Sequence, residues 1–296
     1  MIPDGLQWNQ AELAKGHALD RGLVSLVSLD EQSLPTLIGT GFIISATGRT
    51  AVACTAAHNF QAIAQSQVTY QISHSSALRE FLPNVAPLSV DKTRLRAVCT
   101  DGSHPEMAII DWVVWDPPSD IAFFGLRTQN DNEKSYFSTF FFLDDRTPKV
   151  GDEVAVLGYE GMEILQATGG ADMRFTMARR PLLRLGRVAA LHIEGHILCR
   201  GPCIETTIPV FPGMSGGPVM LFGAASAPMK PVGVISFDAD GGTDKRDRSI
   251  RGYGTFALLR PAITVTGEKQ QRAVFELRRA ITAGIDSARS SHDETR

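Results

Sequence analysis

The sequence predicts an all-β protein built as two halves of similar size, closed by one helix near the C-terminus. Short apolar and β-branched runs recur between turn residues from Leu23 to Leu258, which is the pattern of many short strands. A polar patch, Thr128-Gln-Asn-Asp-Asn-Glu-Lys-Ser135, interrupts that series and marks a linker. From Glu268 the texture changes again, with Val274, Leu277 and Ile281 at helical spacing.

Residues 1–20 form an N-terminal segment with a short helix expected over Gln10–Leu19. Residues 21–135 carry strand-like runs at Leu23–Leu29, Leu37–Ile44, Thr50–Cys54, Val68–Ile72, Arg94–Thr100, Ala108–Trp115 and Ile121–Leu126. Residues 136–262 carry a second set at Glu153–Leu157, Arg174–Met177, Arg184–His192, Ile204–Ile208, Val219–Leu221, Val232–Phe237 and Thr255–Leu258. Each set suits a closed or nearly closed barrel. Residues 263–296 hold the amphipathic helix, ending near Gly284, and a polar tail.

Composition narrows the function classes. The chain has 296 residues, 43% of them hydrophobic, enough to bury a large core. Its 29 basic and 32 acidic residues are mixed along the chain and sum to −3, so no footprint for nucleic acid or an anionic membrane is expected. The first residues have neither a basic start nor a following apolar block, and no apolar run reaches the roughly 18 residues of a spanning helix. A cytoplasmic protein is expected. Four cysteines, at 54, 99, 199 and 203, are too few for a disulfide scaffold and read as free thiols.

Phe211-Pro-Gly-Met-Ser-Gly-Gly-Pro-Val219 places a lone serine in a segment unsuited to a helix or a central strand. A serine hydroxyl is a weak nucleophile and needs a base, and a histidine base needs a group to hold its tautomer. His58 ends the apolar run Val52-Ala-Cys-Thr-Ala-Ala-His58, and Asp120 sits between two prolines and the strand Ile121-Ala-Phe-Phe124. Both stand at strand ends, where a side chain can be aimed into a site.

TAAH, SDIAFF and GMSGGP, in that order, resemble the three catalytic motifs of the chymotrypsin/trypsin-like serine peptidases, above all the bacterial branch that includes the high-temperature-requirement proteases. Gly39-Thr-Gly-Phe-Ile-Ile44 resembles the strand upstream of the family's histidine. The resemblance implies two six-stranded barrels with the active site in the cleft between them. It implies His58 as general base and acid, Asp120 as its orienting carboxylate, and Ser215 as nucleophile. The N–H groups of Gly213 and Ser215 would form the oxyanion hole. Pro209, Ser236, Phe237 and Asp238 would border the substrate, with Ser236 in a position that often supports the aspartate. The implied activity is cofactor-free endopeptidase cleavage of protein or peptide substrates, with a regulatory partner allowed. A protease-fold scaffold without an assembled site is the rival from another class.

Three departures from the family pattern follow. Met214 replaces the aspartate that many secreted relatives pair with a new N-terminus, and Asn59 replaces the cysteine after the histidine. Pro209 stands where a basic-residue preference would need an aspartate, so that position does not support one. Phe237 as part of a pocket wall, with space left opposite it by Gly252-Tyr-Gly254, favours a small or apolar residue before the cut, and Asp238 and Asp240 keep a basic preference as a minority option. Gly213-Met-Ser-Gly-Gly217 also satisfies the nucleophile elbow of α/β-hydrolases, but no helix-forming segment follows and the only later histidine is His292. His192, His196, Cys199 and Cys203 fit no standard zinc spacing, and Glu194-Gly195 reads as a turn that separates the histidines onto two strands; no metal is expected, and a Cys199–Cys203 bond would need an oxidising compartment. The charged segment Thr243–Arg251 reads as a solvated loop within reach of substrate.

Overall fold

The computed structural model describes residues 9–14, 16–61, 63, 86–88, 90–91, 93–101, 104–128, 136–144, 146–170, 173–196, 199–222, 230–238 and 254–258. The expected strand Val68–Ile72, most of the linker, the loop Thr243–Arg251, the C-terminal helix and the tail lie outside them.

Two antiparallel sheets close on themselves. The first contains β2 (Leu23–Leu29), β3 (Pro35–Thr47), β4 (Thr50–Thr55), β5 (Ala86–Leu88), β6 (Leu95–Thr100), β7 (Pro105–Asp116) and β8 (Ile121–Thr128). The ring runs β7-β6-β2-β3-β4-β8 and returns to β7, while β5 shares the β6 edge of β7. The second contains β9 (Glu153–Thr168), β10 (Arg174–His192), β11 (Cys203–Thr206), β12 (Pro218–Leu221), β13 (Lys230–Asp238) and β14 (Gly254–Leu258). Its ring runs β10-β11-β14-β13-β12-β9 and returns to β10. Closure removes most of the unpaired edges that would otherwise template aggregation, leaving a stretch of β10 beyond its pairing with β11.

The period of two explains how one set of strands serves two cores. Ala51 and Ala53 of β4, with Ala122, Phe124 and Leu126 of β8, fill the first barrel. The alternate residues Val52, Cys54, Ile121 and Phe123 face the other way and meet Ala155, Leu157 and Tyr159 of β9. Val154 and Val156 of β9 point into the second barrel with Val188, Ile204, Val219 and Ile235. The barrels therefore share a continuous apolar seam. That is why these strands read as unbroken apolar runs with no polar face. Each fully buried Leu, Val or Phe contributes about 1.5–3 kcal/mol of transfer free energy.

One expected element takes a different form. The helix foreseen over Gln10–Leu19 is instead a strand, β1 (Asn9–Glu12), followed by the single-turn helix α1 (Ala18–Arg21). β1 pairs with β10 from Asn9↔Leu185 to Glu12↔Leu182. The edge of β10 offers backbone partners that a four-residue helix could not match, and Gly16 at φ 77° breaks the segment. β9 runs longer than expected, and the two strands expected at Arg174–Met177 and Arg184–His192 are one continuous strand, β10, so the pair extends past the barrel as a ribbon whose Phe175 and Met177 pack on Val27, Leu29 and Val98 of the first barrel.

Candidate active site

The three motif residues meet in the cleft between the barrels. β4 runs through Ala56 and Ala57, both buried, into the single-turn helix α2 (His58–Gln61). Their methyl groups lie in the packed cores on either side of the chain, and the Ala57 N–H donates to the Asp120 carbonyl at 3.2 Å. Asp120 closes the turn after Pro117-Pro118-Ser119 with φ at 52°, a left-handed conformation that Asp tolerates better than most residues. Its carboxylate is buried and accepts three donors. His58 Nδ1 lies 3.0 and 2.9 Å from Oδ1 and Oδ2, the His58 backbone N–H donates to Oδ1 at 2.9 Å, and the Ser236 hydroxyl donates to Oδ2. On the other side of the imidazole, Nε2 lies 2.5 Å from Ser215 Oγ. Ser215 Oγ is also 3.1 Å from the Ser236 carbonyl oxygen.

The loop that carries Ser215 is shaped by glycine. Gly213 adopts φ 95°, and a Cβ there would lie 2.7 Å from the Tyr159 carbonyl oxygen. Among the described residues neither Gly213 N–H nor Ser215 N–H meets a protein acceptor, so both donors are available to an oxyanion. Gly213→Ala keeps its N–H but cannot hold φ 95° without driving Cβ onto the Tyr159 carbonyl, so the donor is expected to be displaced and acyl transfer at this site lowered about 10²–10³-fold, the scale of losing one such donor. Steady-state kinetics beside an unchanged circular-dichroism spectrum checks this.

Several residues that the motifs left unassigned hold this loop. Thr40 of β3 bridges the barrels: its N–H donates to the Ser215 carbonyl at 2.8 Å and its hydroxyl to the Gly213 carbonyl at 2.5 Å. The Asn59 side chain donates to the Ser215 carbonyl at 3.1 Å and to Thr55 Oγ1 at 2.9 Å. Asn59, which stands where secreted relatives have a cysteine, thus anchors the nucleophile loop. The only sequence signal for these roles was their nearness to the glycine-bearing strand and the histidine.

Beneath the loop lies a buried guanidinium. Arg184 of β10 donates to the Pro209 carbonyl at 2.9 Å, to Met214 Sδ at 3.2 Å, to Gln10 of β1 at 3.0 Å and to Glu160 at 2.8 Å, and it stacks 4.2 Å over Phe211. Burial pulls the Arg184 pKa below its usual value, and Glu160 opposes that shift. Met214, which occupies the place of the family's switching aspartate, is fully buried against this cation. Glu160→Ala removes the carboxylate that Arg184, at 2% side-chain exposure, meets at 2.8 Å. The expected loss is about 3 kcal/mol, the lower end for a broken buried pair, because Pro209 and Gln10 still accept from the cation. A lower urea midpoint at unchanged slope measures it.

The expected substrate-side residues divide. Pro209 is buried with its carbonyl held by Arg184. Ser236 is 3% exposed and spends its hydroxyl on Asp120, so its side chain braces the carboxylate. Phe237 and Asp238 end β13, and their side chains lie outside the described residues.

The turn at Gly195 does not separate His192 and His196 as expected. With Gly195 at φ 90° the chain doubles back tightly, and the imidazole centroids lie 5.0 Å apart. All four cysteines are buried free thiols.

Two closed barrels meeting at a hydrogen-bonded hydroxyl, imidazole and carboxylate define the trypsin-like architecture. The sequence model of the trypsin-like peptidase domain matches residues 39–221, and the chain belongs to that family. No curated protein matches the chain. Among solved structures it is similar to the apo MamO protease domain from Magnetospirillum magneticum, at 14% identity and a TM-score of 0.47, over 85% of this chain and 99% of that one.

Proposed function

We propose that the protein is a serine endopeptidase that cleaves protein substrates through an acyl-enzyme. The unbroken line from Ser215 Oγ through His58 to Asp120 carries this reading. Ser215 Oγ attacks the scissile carbonyl carbon while its proton passes to His58 Nε2. The negative charge on the carbonyl oxygen falls within reach of the Gly213 and Ser215 N–H groups. As the C–N bond breaks, His58 returns the proton to the leaving amine. Water then attacks the ester with His58 again as base, releasing the acid and restoring Ser215. Asp120, held by three donors, keeps Nδ1 protonated so that Nε2 can accept.

Pro209, standing where a basic-residue preference would need a carboxylate, supports a small or apolar residue before the cut over a basic one. The reading extends to a cytoplasmic enzyme acting on a dedicated protein partner, for which free buried thiols are the form a reducing compartment maintains. No helix among the described residues is long and apolar enough to cross a membrane.

A fluorophosphonate probe tests the assignment directly. Labelling of the wild-type protein that vanishes in Ser215→Ala supports the enzyme. A wild-type protein that stays unlabelled, with or without added protein partners, supports a scaffold built on the same fold.

A further inference from the structure

We propose that His192, His196 and Glu205 bind a zinc-class divalent cation that staples the β10–β11 hairpin. His192 ends β10, His196 follows the turn, and Glu205 lies on β11, whose register places it opposite Ala190. Glu205 and His192 are thus diagonal neighbours across the pair. Glu205 Oε1 lies 3.2 Å from His192 Nε2 and 3.4 Å from His196 Nε2, and all three ligand atoms fall within 4.8 Å of one another.

Two observations favour a shared cation over an ordinary ion pair. Nitrogen and carboxylate ligands sit about 2.0–2.2 Å from zinc, so two ligands at a tetrahedral angle stand roughly 3.3–3.5 Å apart. The two nitrogen-to-oxygen separations fall at or near that edge length. Furthermore, His192 Nε2 is buried yet among the described residues makes no hydrogen bond of usable geometry, despite the carboxylate oxygen 3.2 Å away. In an ion pair the N–H would point at that oxygen. When an imidazole lone pair points at a common third centre, the carboxylate oxygen is close but out of line.

The donor set is two imidazoles and one carboxylate, suited to zinc among the available divalent ions, with the fourth position left to water. Cys203 pairs with His192 in the ladder but does not join the cluster. Cys199 is held as a neutral thiol by its hydrogen bond with Cys203 and by burial, both of which raise its pKa.

The place of the site gives it a consequence. The loop it closes packs on the turn before Asp120: Gly201 N–H donates to the Pro118 carbonyl at 2.7 Å, and Cys199 Sγ approaches the Ser119 carbonyl at 3.9 Å. A cation at the hairpin base therefore stiffens the support of the orienting carboxylate.

Cobalt(II) is the probe, since four-coordinate cobalt absorbs far more strongly in the visible than six-coordinate cobalt. Chelator-stripped full-length protein should develop the four-coordinate spectrum at one equivalent, and zinc should bleach it stoichiometrically. Glu205→Gln and His196→Ala should each weaken zinc binding more than about 100-fold, beyond the usual cost of losing an outer-shell partner. His58→Ala should bind as the wild type does, which separates this site from the peptidase assignment. A wild-type protein that gives only the six-coordinate spectrum, or variants at 205 and 196 that keep wild-type affinity, would overturn the proposal.

Discussion

Ser215→Ala is expected to lower kcat by about 10⁶-fold, the scale of loss when the nucleophile of an interdependent triad is removed. The structure explains why the effect should be confined to chemistry. Among the described residues Ser215 Oγ hydrogen-bonds only with His58 Nε2 and the Ser236 carbonyl, while the loop is held by its backbone through Thr40 and Asn59. Alanine keeps every one of those backbone bonds. Stability should therefore shift by no more than one or two hydrogen bonds, each worth about 0.5–1.5 kcal/mol. Substrate affinity should stay near the wild-type value. Pre-steady-state kinetics with a peptide ester in excess over enzyme, beside equilibrium binding of the same ester, checks this: the acylation burst should disappear while binding persists. Retention of the burst would assign the nucleophile elsewhere.

Asp120→Asn is expected to lower kcat by about 10⁴-fold with the fold intact. Oδ1 must remain an oxygen, because the His58 backbone N–H that it faces at 2.9 Å can only donate. The amide nitrogen then takes the Oδ2 position, 2.9 Å from His58 Nδ1 and beside the Ser236 hydroxyl. An N–H donor facing Nδ1 favours the tautomer with its proton on Nε2. That nitrogen can no longer accept from Ser215. Raising the pH should restore part of the rate as hydroxide takes the serine proton directly. The measurement is kcat across a pH series, and wild-type activity in Asp120→Asn would remove Asp120 from the mechanism.

The motif residues were legible because each depends on its own few neighbours in the chain. Small alanines before His58, prolines before Asp120 and glycines around Ser215 are local requirements of local turns, so they leave a local trace. Thr40, Asn59, Glu160 and Arg184 leave no such trace. Thr40 meets Gly213 across 173 positions and Asn59 meets Ser215 across 156, and only the docking of two barrels brings those pairs together. Glu205 leaves no trace beside His192 and His196 for a related reason: its place against them follows from strand register, which spacing along the chain does not reveal. Ser236 shows the intermediate case. Its strand was legible, but whether its hydroxyl served substrate or carboxylate depended on which face met Asp120.

The N-terminal strand shows the same boundary. Asn9-Gln-Ala-Glu12 has no strong strand pattern of its own, and it becomes β1 because the edge of β10 has unpaired backbone groups to offer. By itself the sequence determined an all-β chain in two halves, the three motifs, and the glycines that shape the nucleophile loop, since these follow from side-chain periodicity and backbone sterics. Only the tertiary structure decided what holds that loop: Thr40 and Asn59 from the opposite barrel above it, and Arg184 with Glu160 and Gln10 below. Hydrogen bonds and ion pairs between distant segments acquire their partners only when apolar burial has closed both barrels and pressed their shared seam together.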